Sequence, residues 1–411
     1  MTRTPDDAAG PVGGGPPARG LARLRASGPR EESFTSRLRS PAVAARVGVA
    51  LGCCFGLAFV TGLISHYAQL PDPPVPFPTS PSWGYRLTQG LHVASGTAAV
   101  PLLLVKLWSV LPRLFAALPR GLGQVVLVGA ERAAVGLLVA SAIFMLATGL
   151  LNVSQWYPWQ FSFRSAHYAV AWVAIGALLV HVAVKLPVVR AALGSDVDDA
   201  GLDRSSATAQ GALSRRGLLR VTWLAAGLAV LATAGGTVPL LRRVSVLAVR
   251  TGEGPQGVPI NRTASAAAVD VAATGEAYRL DVVRGDRVVS LSRADLEALP
   301  QVEQSLPIAC VEGWSAQATW TGVPVRDLLD LVAAPAGSAV VVSSLQQRGG
   351  YATTRLPGNF ADDPRTLLAL GLSGEPLSLD HGFPARVIAP DRPGVLQTKW
   401  VHRLEVEEGG S

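Results

Sequence analysis

Charged residues are scarce in this 411-residue chain, and their scarcity excludes an ordinary soluble protein. Asp, Glu, Lys and Arg make up 16% of the chain, whereas hydrophobic residues make up 49% and the mean hydropathy is +0.33. A hydrocarbon core of about 30 Å needs roughly 20 apolar residues in a helix. Five runs meet this need and predict five membrane spans, at residues 47–65, 87–105, 133–151, 165–184 and 221–241.

Cysteine is equally rare, which excludes a disulfide-stabilised exported domain. Of the three cysteines, Cys53 and Cys54 are adjacent in the first predicted span, so Cys310 is the single thiol of the C-terminal region. A lone cysteine is more often a small buried hydrophobic residue than a reactive group. Any role for Cys310 must therefore follow from its surroundings.

Acidic residues are outnumbered by 36 Lys and Arg to 29 Asp and Glu, and the resulting net charge of +7 could indicate a nucleic-acid partner. The positive charges, however, flank the predicted spans instead of following one soluble surface, so no nucleic acid is expected as a partner. Positive loops face the cytoplasm. The cytoplasmic side is then marked by Arg113, Arg120, Arg132, Lys185, Arg190, Arg204, Arg215, Arg216 and Arg220, and the opposite loops hold only Arg86 and Arg164.

The sequence predicts a multi-domain protein, with an all-α transmembrane bundle of five spans followed by an α+β domain. Residues 1–42 are rich in Gly, Pro and Arg and are expected to form a disordered cytoplasmic tail. Residues 43–187 would form a four-helix bundle, 188–214 a cytoplasmic linker, 215–242 the fifth span, and 255–408 the exported domain. With five spans, the N-terminus lies in the cytoplasm and the last domain lies on the outer face of the cell membrane.

Two stretches of the last domain bring together side chains that suit a cofactor: IACVEGWSAQATWTGVPVRDLL and LDHGFPARVIAPDRPGVLQTKWVHRLEV. The first predicts a strand at 305–310, a turn and a helix starting near Pro324, so Cys310 lies at a strand end. The second predicts strands at 385–389 and 399–406 joined by a Pro- and Gly-rich loop. It would place His381, Arg386 and Lys399 at strand ends, where three side chains that can carry positive charge suit a phosphate.

Together these stretches resemble the molybdopterin-binding domain of the sulfite oxidase family, over about residues 255–408. The resemblance implies a Mo-molybdopterin cofactor and identifies Cys310 as the catalytic thiolate that ligates molybdenum. An HGxPxR segment, followed thirteen residues after its arginine by KW, would bind the pterin and its phosphate through His381, Arg386, Lys399 and Trp400. The segment PINRTA, 259–264, is similar to one that brings an asparagine to the pterin, here Asn261.

The sequence also departs from sulfite oxidases proper, which carry arginines just after the cysteine and a tyrosine shortly before the HGxPxR segment. Here VEGWS follows the cysteine and Leu370 stands at the place of the tyrosine, so a cationic sulfite pocket is not expected. CVEGWS is more similar to the bacterial branch that includes the periplasmic methionine sulfoxide reductase catalytic subunit. Tyr351 and Arg355 could line a substrate pocket, although such loop residues are more often structural.

Four of the six histidines, His66, His92, His167 and His181, lie in or at the ends of the predicted spans, where ligating side chains are costly and indicate function. The predicted topology puts all but His181 at the outer side. This arrangement is similar to the haem-binding helix bundles of bacterial membrane oxidoreductases, with His92 and His167 as the favoured axial ligands of a b-type haem. Lys106, not histidine, lies opposite His181, so we expect one haem, with a second left open. The alternative is that these histidines only cap helix ends at the interface.

The segment SRRGLLRVTWLAAG, 214–227, has two adjacent arginines before a weakly apolar span, which is typical of the pathway that exports folded proteins. A domain that acquires molybdopterin in the cytoplasm must fold before it crosses the membrane. The sequence therefore predicts an internal twin-arginine signal, with the twin-arginine translocase as a partner. The alternative is that Arg215 and Arg216 are ordinary cytoplasmic flanking charges.

These features predict a membrane-anchored molybdenum oxidoreductase. An oxygen atom, or an equivalent pair of electrons, would be exchanged with a small-molecule substrate at Cys310-ligated molybdenum, and electrons would pass through haem to a quinone or another carrier. The membrane lipid is the remaining partner. A cofactor-free, non-catalytic binding module on a membrane anchor is the alternative from a different functional class.

Overall fold

The computed structural model describes residues 30–75, 77–117, 119, 121–248 and 254–407. Within these ranges, five helices are long and apolar enough to cross a membrane, so the five predicted helices are confirmed. Each is longer than its apolar run, because polar residues extend the helix ends; Ser40, for example, caps the first helix by accepting a hydrogen bond from the Val43 amide. The five are α1 Pro41–Ala68, α2 Gly84–Val110, α3 Leu122–Val153, α4 Phe163–Gly194 and α5 Arg215–Thr233.

The long helices form a bundle in which α1 packs against α2 and α4, α3 against α4, and α5 against α2. Val43, Val47 and Leu102 are buried where α1 meets α2. The outer faces stay apolar and exposed, as at Leu127, Leu179 and Leu224. Such faces suit a hydrocarbon surrounding.

Part of the expected disordered tail is ordered. Residues 1–29 lie outside the described residues, but residues 30–42 include a 3-10 helix at Glu31–Ser33 and the start of α1. Arg204 donates hydrogen bonds to the carbonyls of Glu31 and Phe34, and Ser36 forms a bridge with Ala209. The predicted linker, 188–214, thus holds the ordered part of the tail in place. Composition alone does not reveal such a contact between distant segments. Helix α4 also continues to Gly194, into this predicted linker.

The C-terminal domain contains two sheets among the residues that the structure describes. One has the strand order β2-β1-β10-β5-β6, in which β1 and β10 are parallel and the other neighbours antiparallel; the second has the order β3-β4-β7-β8, with β9 paired to β7. The strands are β1 Arg279–Arg284, β2 Arg287–Ser292, β3 Val302–Ala309, β4 Ser315–Pro324, β5 Val340–Ser344, β6 Thr353–Leu356, β7 Leu367–Leu372, β8 Glu375–Pro376, β9 Arg386–Ile388 and β10 Val401–Val406. Short helices lie between them: α6 Ala264–Ala267, α7 Arg293–Ala298, α8 Val325–Asp330 and α9 Gly358–Ala361.

The predicted elements around the motifs are present with different bounds: β3 begins three residues earlier than predicted, whereas β9 and β10 are shorter. Strand β3 ends at Ala309, so Cys310 is the first residue of the following turn, and helix α8 starts directly after Pro324 as predicted. The last strand begins at Val401 and not at Lys399. The reason is the backbone of Trp400, whose φ of 53° lies in the left-handed region and interrupts the extended chain.

The C-terminal domain rests on one end of the helix bundle. Ala68 at the end of α1, Tyr85 at the start of α2 and Ala309 at the end of β3 form one small apolar cluster. The backbone amide of Tyr85 also donates a hydrogen bond to the carboxylate of Asp391, in the loop between β9 and β10. The strand that leads to Cys310 is therefore packed directly against the helices.

Candidate active site

Cys310 lies in a tight turn that buries its thiol. Its amide donates to the Trp314 carbonyl at 2.9 Å, and the Gly313 amide donates to the Cys310 carbonyl at 3.2 Å. Only 1% of Cys310 is exposed. Burial, reinforced by the nearby Glu312 carboxyl, raises the pKa of the Cys310 thiol. The thiol therefore keeps its proton until a cation such as a metal ion stabilises the thiolate.

Arg386 is a buried cation with unused donors. It starts β9, its guanidinium carbon lies 5.2 Å from the centre of the Trp320 ring, and its Nη1 donates to the His381 carbonyl at 3.2 Å. Its Nε and Nη2 are buried and have no hydrogen-bond partner among the described residues. Burial lowers the pKa of Arg386 to about 9. Because buried donors without partners are costly, this side chain fits an anion that the polypeptide does not supply.

Lys399 adds a second positive charge close by. Its Nζ donates to the carbonyls of Arg262 and Asp380, each at 2.8 Å, which leaves one of its three N–H groups available. Burial and the neighbouring Arg386 hold the pKa of Lys399 well below its ordinary value. Gly382 allows this packing: its φ of +112° favours glycine, and a Cβ there would lie 3.0 Å from the Cβ of Lys399.

His381 presents a neutral imidazole to the same region. Its Nε2 lies 2.7 Å from the Pro255 carbonyl oxygen, which only accepts, so Nε2 carries the proton. Burial, followed by Arg386, lowers the pKa of His381 to about 4. Its Nδ1 is buried and without a partner in the described part of the chain, and is therefore a free acceptor. An acceptor beside two cations suits a ligand that has both N–H groups and a phosphate, as molybdopterin does.

The remaining predicted residues border this region. Trp400 is 1% exposed, its Nε1 donates to the Leu379 carbonyl at 2.7 Å, and its ring centre lies 5.4 Å from Lys399 Nζ. Asn261 precedes Arg262, whose carbonyl holds Lys399, and it is partly buried. The structure thus brings Cys310, His381, Arg386, Lys399 and Trp400 into one region, with the Asn261 segment at its edge.

Tyr351, Arg355 and Leu370 make structural contacts elsewhere. The Tyr351 hydroxyl donates to the Gln69 carbonyl at 3.1 Å and accepts from Arg164 Nη1 at 2.7 Å. Arg355 pairs with Glu407 at 2.9 Å, while Leu370 is part of the buried core. Tyr351 is therefore a contact between the C-terminal domain and the helices.

Sequence reasoning missed two residues in the loop between β9 and β10. Arg392 is 4% exposed and donates to the carbonyls of Leu396 and Arg355, and burial lowers its pKa to about 9. Its neighbour Asp391 has a φ of 56° and accepts the Tyr85 amide. The sequence APDRPG, a turn-like segment between two predicted strands, does contain both residues. Charged residues in such a turn are usually solvated, so their burial was not expected.

A cavity between α1, α2, α3 and α4 brings three of the four candidate histidines together. His66, His92 and His167 line it, whereas His181 is not among its lining residues. The empty space, including its open parts, is about 1500 Å³. Met145, Val93 and Ile175 also line it, so the cavity is largely apolar.

The rings of His92 and His167 face each other across this cavity at close range. Their ring centroids are 6.2 Å apart. Metal–imidazole bonds of about 2 Å, with each ring centre about 1.2 Å beyond its nitrogen, place the centroids of two opposed ligands roughly 6 Å apart. His92 Nδ1 lies 2.9 Å from the Ala58 carbonyl oxygen, and His167 Nδ1 lies 2.9 Å from Thr148 Oγ1.

These two contacts also set the tautomers. The Ala58 carbonyl only accepts, and the Thr148 hydroxyl already donates to the Phe144 carbonyl at 2.7 Å, so both histidines carry their proton on Nδ1. The lone pair of each Nε2 is then free for a metal, the usual arrangement of a ligating histidine. Gly62 gives His92 its space, since a Cβ there would lie 2.9 Å from His92 Cε1.

The other candidates in the bundle have different neighbours. The His66 ring stacks on the Tyr168 ring with centroids 3.6 Å apart. Lys106 Nζ donates to the Ala44 carbonyl at 2.7 Å.

The two arginines before α5 are both engaged. Arg215 is 6% exposed, pairs with Asp203 and donates to the carbonyls of Arg37, Val197 and Asp199. Arg216 is half-exposed and pairs with Asp196 at 2.8 Å and Asp198 at 2.9 Å. Arg215 thus holds the loop before α5 together, whereas Arg216 makes surface ion pairs.

Residues 266–411 match the family model for the oxidoreductase molybdopterin binding domain. The chain is 36% identical over 112 residues to the putative protein-methionine-sulfoxide reductase subunit YedZ1 of Azospira oryzae, covering 27% of this chain and 42% of that protein. It is 32% identical over 125 residues to the protein-methionine-sulfoxide reductase catalytic subunit MsrP of Xanthomonas axonopodis pv. citri, covering 28% and 39%.

Mitochondrial sulfite oxidase of Mus musculus is 30% identical over 162 residues, covering 32% of this chain and 29% of that protein. The chain therefore spans less than half the length of each of these three relatives. Residues 266–411, which make up most of the C-terminal domain, are thus similar to oxidoreductase molybdopterin binding domains, in agreement with the resemblance that the sequence motifs carry.

Proposed function

We propose that this chain is a membrane-anchored molybdenum oxidoreductase, in which Cys310 holds a Mo-molybdopterin centre and a b-type haem lies between His92 and His167. The observation that carries the proposal is the pair of unpartnered donors of buried Arg386, beside Lys399 and Cys310 in a domain that matches the molybdopterin family model. An unpaired buried cation is costly, so a bound anion would stabilise this site.

Each residue has a part in binding the molybdenum cofactor. The Cys310 thiolate would ligate the metal, since soft thiolates suit such metals. Arg386 and Lys399 would bind the phosphate, and the Nδ1 of neutral His381 would accept an N–H of the pterin. Trp400 supports Lys399, and Asn261 would reach the pterin edge. The bound group would supply two-electron chemistry at the metal.

The haem proposal rests on the spacing and tautomers of His92 and His167 and on the apolar cavity around them. The haem would supply one-electron transfer between the molybdenum centre and a quinone or another carrier in the membrane. One haem is expected, because His181 lies away from this cavity and Lys106 is bound to the Ala44 carbonyl. His66, stacked on Tyr168, would flank the haem instead of ligating it.

The reaction class follows from the site and from the names of the relatives. Protein-methionine-sulfoxide reductase and sulfite oxidase both concern oxygen bound to sulfur. We expect this chain to act on a small sulfur compound. Reduction of a sulfoxide would consume two electrons and two protons and release a thioether and water. The reverse class is dehydrogenation of a small sulfur or organic substrate, in which electrons pass from the substrate to the enzyme.

The same proposal includes the topology. Five apolar helices would cross the lipid, the N-terminus would face the cytoplasm and the C-terminal domain would lie on the outer face. Arg215 and Arg216, directly before α5, would serve the twin-arginine translocase while the loaded domain is exported. Once export is complete, the same arginines would hold the cytoplasmic loop, in the contacts described above.

Turnover of the Cys310→Ser variant tests the function. The purified chain, reduced with dithionite, should show haem absorbance that methyl p-tolyl sulfoxide reoxidises if the enzyme reduces sulfoxides. In the reverse class, a reduced sulfur compound such as sulfite should instead reduce the oxidised haem. Cys310→Ser should abolish either response and leave the haem absorbance unchanged. Turnover that survives this substitution would exclude Cys310 as the metal ligand.

A further inference from the structure

The turn that carries Cys310 is hydrogen-bonded to the end of a membrane helix. Asn152, the next-to-last residue of α3, donates from Nδ2 to the Val311 carbonyl at 2.8 Å. The Tyr157 hydroxyl donates to Oδ1 of the same amide at 3.2 Å, which fixes its orientation. Because Val311 directly follows Cys310, this carboxamide is one residue away from the thiol.

A second contact holds the other side of the turn. Thr237, after α5, donates from its hydroxyl to the Gly313 carbonyl at 2.5 Å. Gly313 has a φ of +77°, and a Cβ there would lie 2.8 Å from a methyl carbon of Val153. The backbone of the turn therefore approaches α3 as closely as its sequence allows, and two side chains from the helical part hold it there.

The same residues form a wall of the histidine cavity. Asn152, Val153 and Val311 line it together with His92 and His167. The cavity and the cysteine turn thus share one thin partition, which consists of the end of α3 and the Val311 residue. Any shift of the turn away from α3 would widen the gap between the thiol and the cavity.

We propose that Asn152 is a positioning residue that fixes the Cys310 turn against the histidine cavity and so sets the electron-transfer distance between the two centres. Thr237 supports the same turn from its other side. The inference rests on the proposed function, because it assumes redox centres at Cys310 and in the cavity. It assigns to α3 a part that neither the histidine pattern nor the molybdopterin motifs indicate.

The test uses the full-length, cofactor-loaded chain and two variants. Asn152→Leu keeps the size of the side chain and removes the donor, and Thr237→Val does the same at the second contact. Asn359→Leu is the matched control, because Asn359 Nδ2 also donates at 2.8 Å to a carbonyl of the segment before α2, that of Phe77, in a hydrogen bond that involves no residue of the cysteine turn. All three must retain the haem absorbance and molybdenum content of the unsubstituted chain.

Two measurements are made on each protein. Photoreduced flavin delivers one electron to the haem, and the subsequent haem reoxidation reports transfer to molybdenum. Hydrogen exchange of the amides at residues 310–314 reports how firmly the turn is held. Asn152→Leu and Thr237→Val should each slow the reoxidation several-fold, because the rate of electron transfer falls steeply with the distance between the two centres, and should accelerate the exchange. Asn359→Leu should change neither.

The possible failures are distinct. Unchanged reoxidation in Asn152→Leu and Thr237→Val, whether or not the exchange accelerates, overturns the positioning role while the proposed function stands. Equal slowing in Asn359→Leu overturns it as well, because the effect would then belong to domain docking in general. An unsubstituted chain without haem or molybdenum overturns the proposed function itself, and with it the inference.

Discussion

The C-terminal domain buries three cations, and two of them, Arg386 and Lys399, lie at the candidate site. Arg386, Arg392 and Lys399 are each less than 10% exposed, and no described carboxylate forms an ion pair with any of them. A buried charge without a counter-charge destabilises a fold. Under the proposed function, the phosphate of the cofactor would compensate the charges of Arg386 and Lys399.

Arg386→Met should therefore have opposite effects with and without the cofactor. In protein from a host that cannot make molybdopterin, the variant should unfold at a higher temperature, because an uncompensated buried charge is replaced by an apolar chain, a gain of about 1–3 kcal/mol. In protein from a competent host, the variant should lose the cofactor and the stability that binding provides. Thermal unfolding of both preparations is the measurement. Arg287→Met, at an exposed position, is the control and should change neither. Destabilisation of the cofactor-free protein by Arg386→Met would contradict this reasoning.

Single substitutions of the histidines test the proposed haem ligands. His92→Leu and His167→Leu should each abolish the haem signal in a reduced-minus-oxidised spectrum, because each removes one of two Nε2 ligands. His181→Leu should keep the full signal, since His181 does not line the cavity. Loss of half of the signal in His181→Leu would instead reveal a second haem. A full signal in His92→Leu would exclude the proposed ligand pair.

At the scale of elements, the sequence predicted the helices and the strands that carry the motifs, because both depend on local hydrophobic patterns. It could not predict the contacts between distant elements. One hydrogen bond, from the Asn152 amide to the Val311 carbonyl, joins residues 159 positions apart. Another, from the Tyr85 amide to the Asp391 carboxylate, joins residues 306 positions apart. The left-handed Trp400 also escaped prediction, because its conformation depends on packing around Lys399 and Gly382 and not on a local signal.

The contact between Asp391 and the start of α2 should depend on pH. Burial raises the pKa of Asp391 to about 6, although the amides of Tyr85 and Gly84 oppose this shift by stabilising the carboxylate. A carboxyl whose pKa is raised on folding favours the folded state below its ordinary pKa, and that contribution, up to about 3 kcal/mol, is lost as the pH rises through about 6.

Asp391→Asn keeps an oxygen that accepts both amides and removes the titration. The unfolding temperature of the unsubstituted chain should therefore fall, relative to that of Asp391→Asn, between about pH 4 and about pH 7. Parallel curves for the two proteins across this range would show that Asp391 is not coupled to folding.

Arg215 and Arg216, at the start of α5, should differ in their contribution to stability. Arg215 serves four acceptors in a buried position, so Arg215→Gln should destabilise the folded protein by about 2–4 kcal/mol. Arg216→Gln should have little effect on stability, because exposed ion pairs contribute little.

Translocation should respond differently from stability. If the pair is an export signal, Arg216→Gln should reduce the fraction of the C-terminal domain that external protease can reach, without lowering the unfolding temperature. Normal export of the stable Arg216→Gln variant and of a double Arg-to-Lys variant would favour the simpler interpretation, that these are cytoplasmic flanking charges.

At the scale of the whole molecule, the domain that matches the molybdopterin model rests on the end of a helical bundle that holds a histidine-lined cavity. The cysteine turn, the start of α2 and the end of α3 meet at this junction. The two proposed redox centres would thus be neighbours within one chain, and electrons could pass between them without a separate carrier protein. A single chain would then connect a carrier in the membrane with a substrate outside it.

If Cys310, His381, Arg386 and Lys399 hold a molybdenum cofactor, the purified full-length chain must contain molybdenum. The chain should be made in a host that synthesises molybdopterin, and its metal content measured by mass spectrometry. We expect about one molybdenum atom per chain and a large loss of molybdenum in Arg386→Met. A metal-free chain from such a host would exclude the proposed cofactor site and favour a binding module without a cofactor.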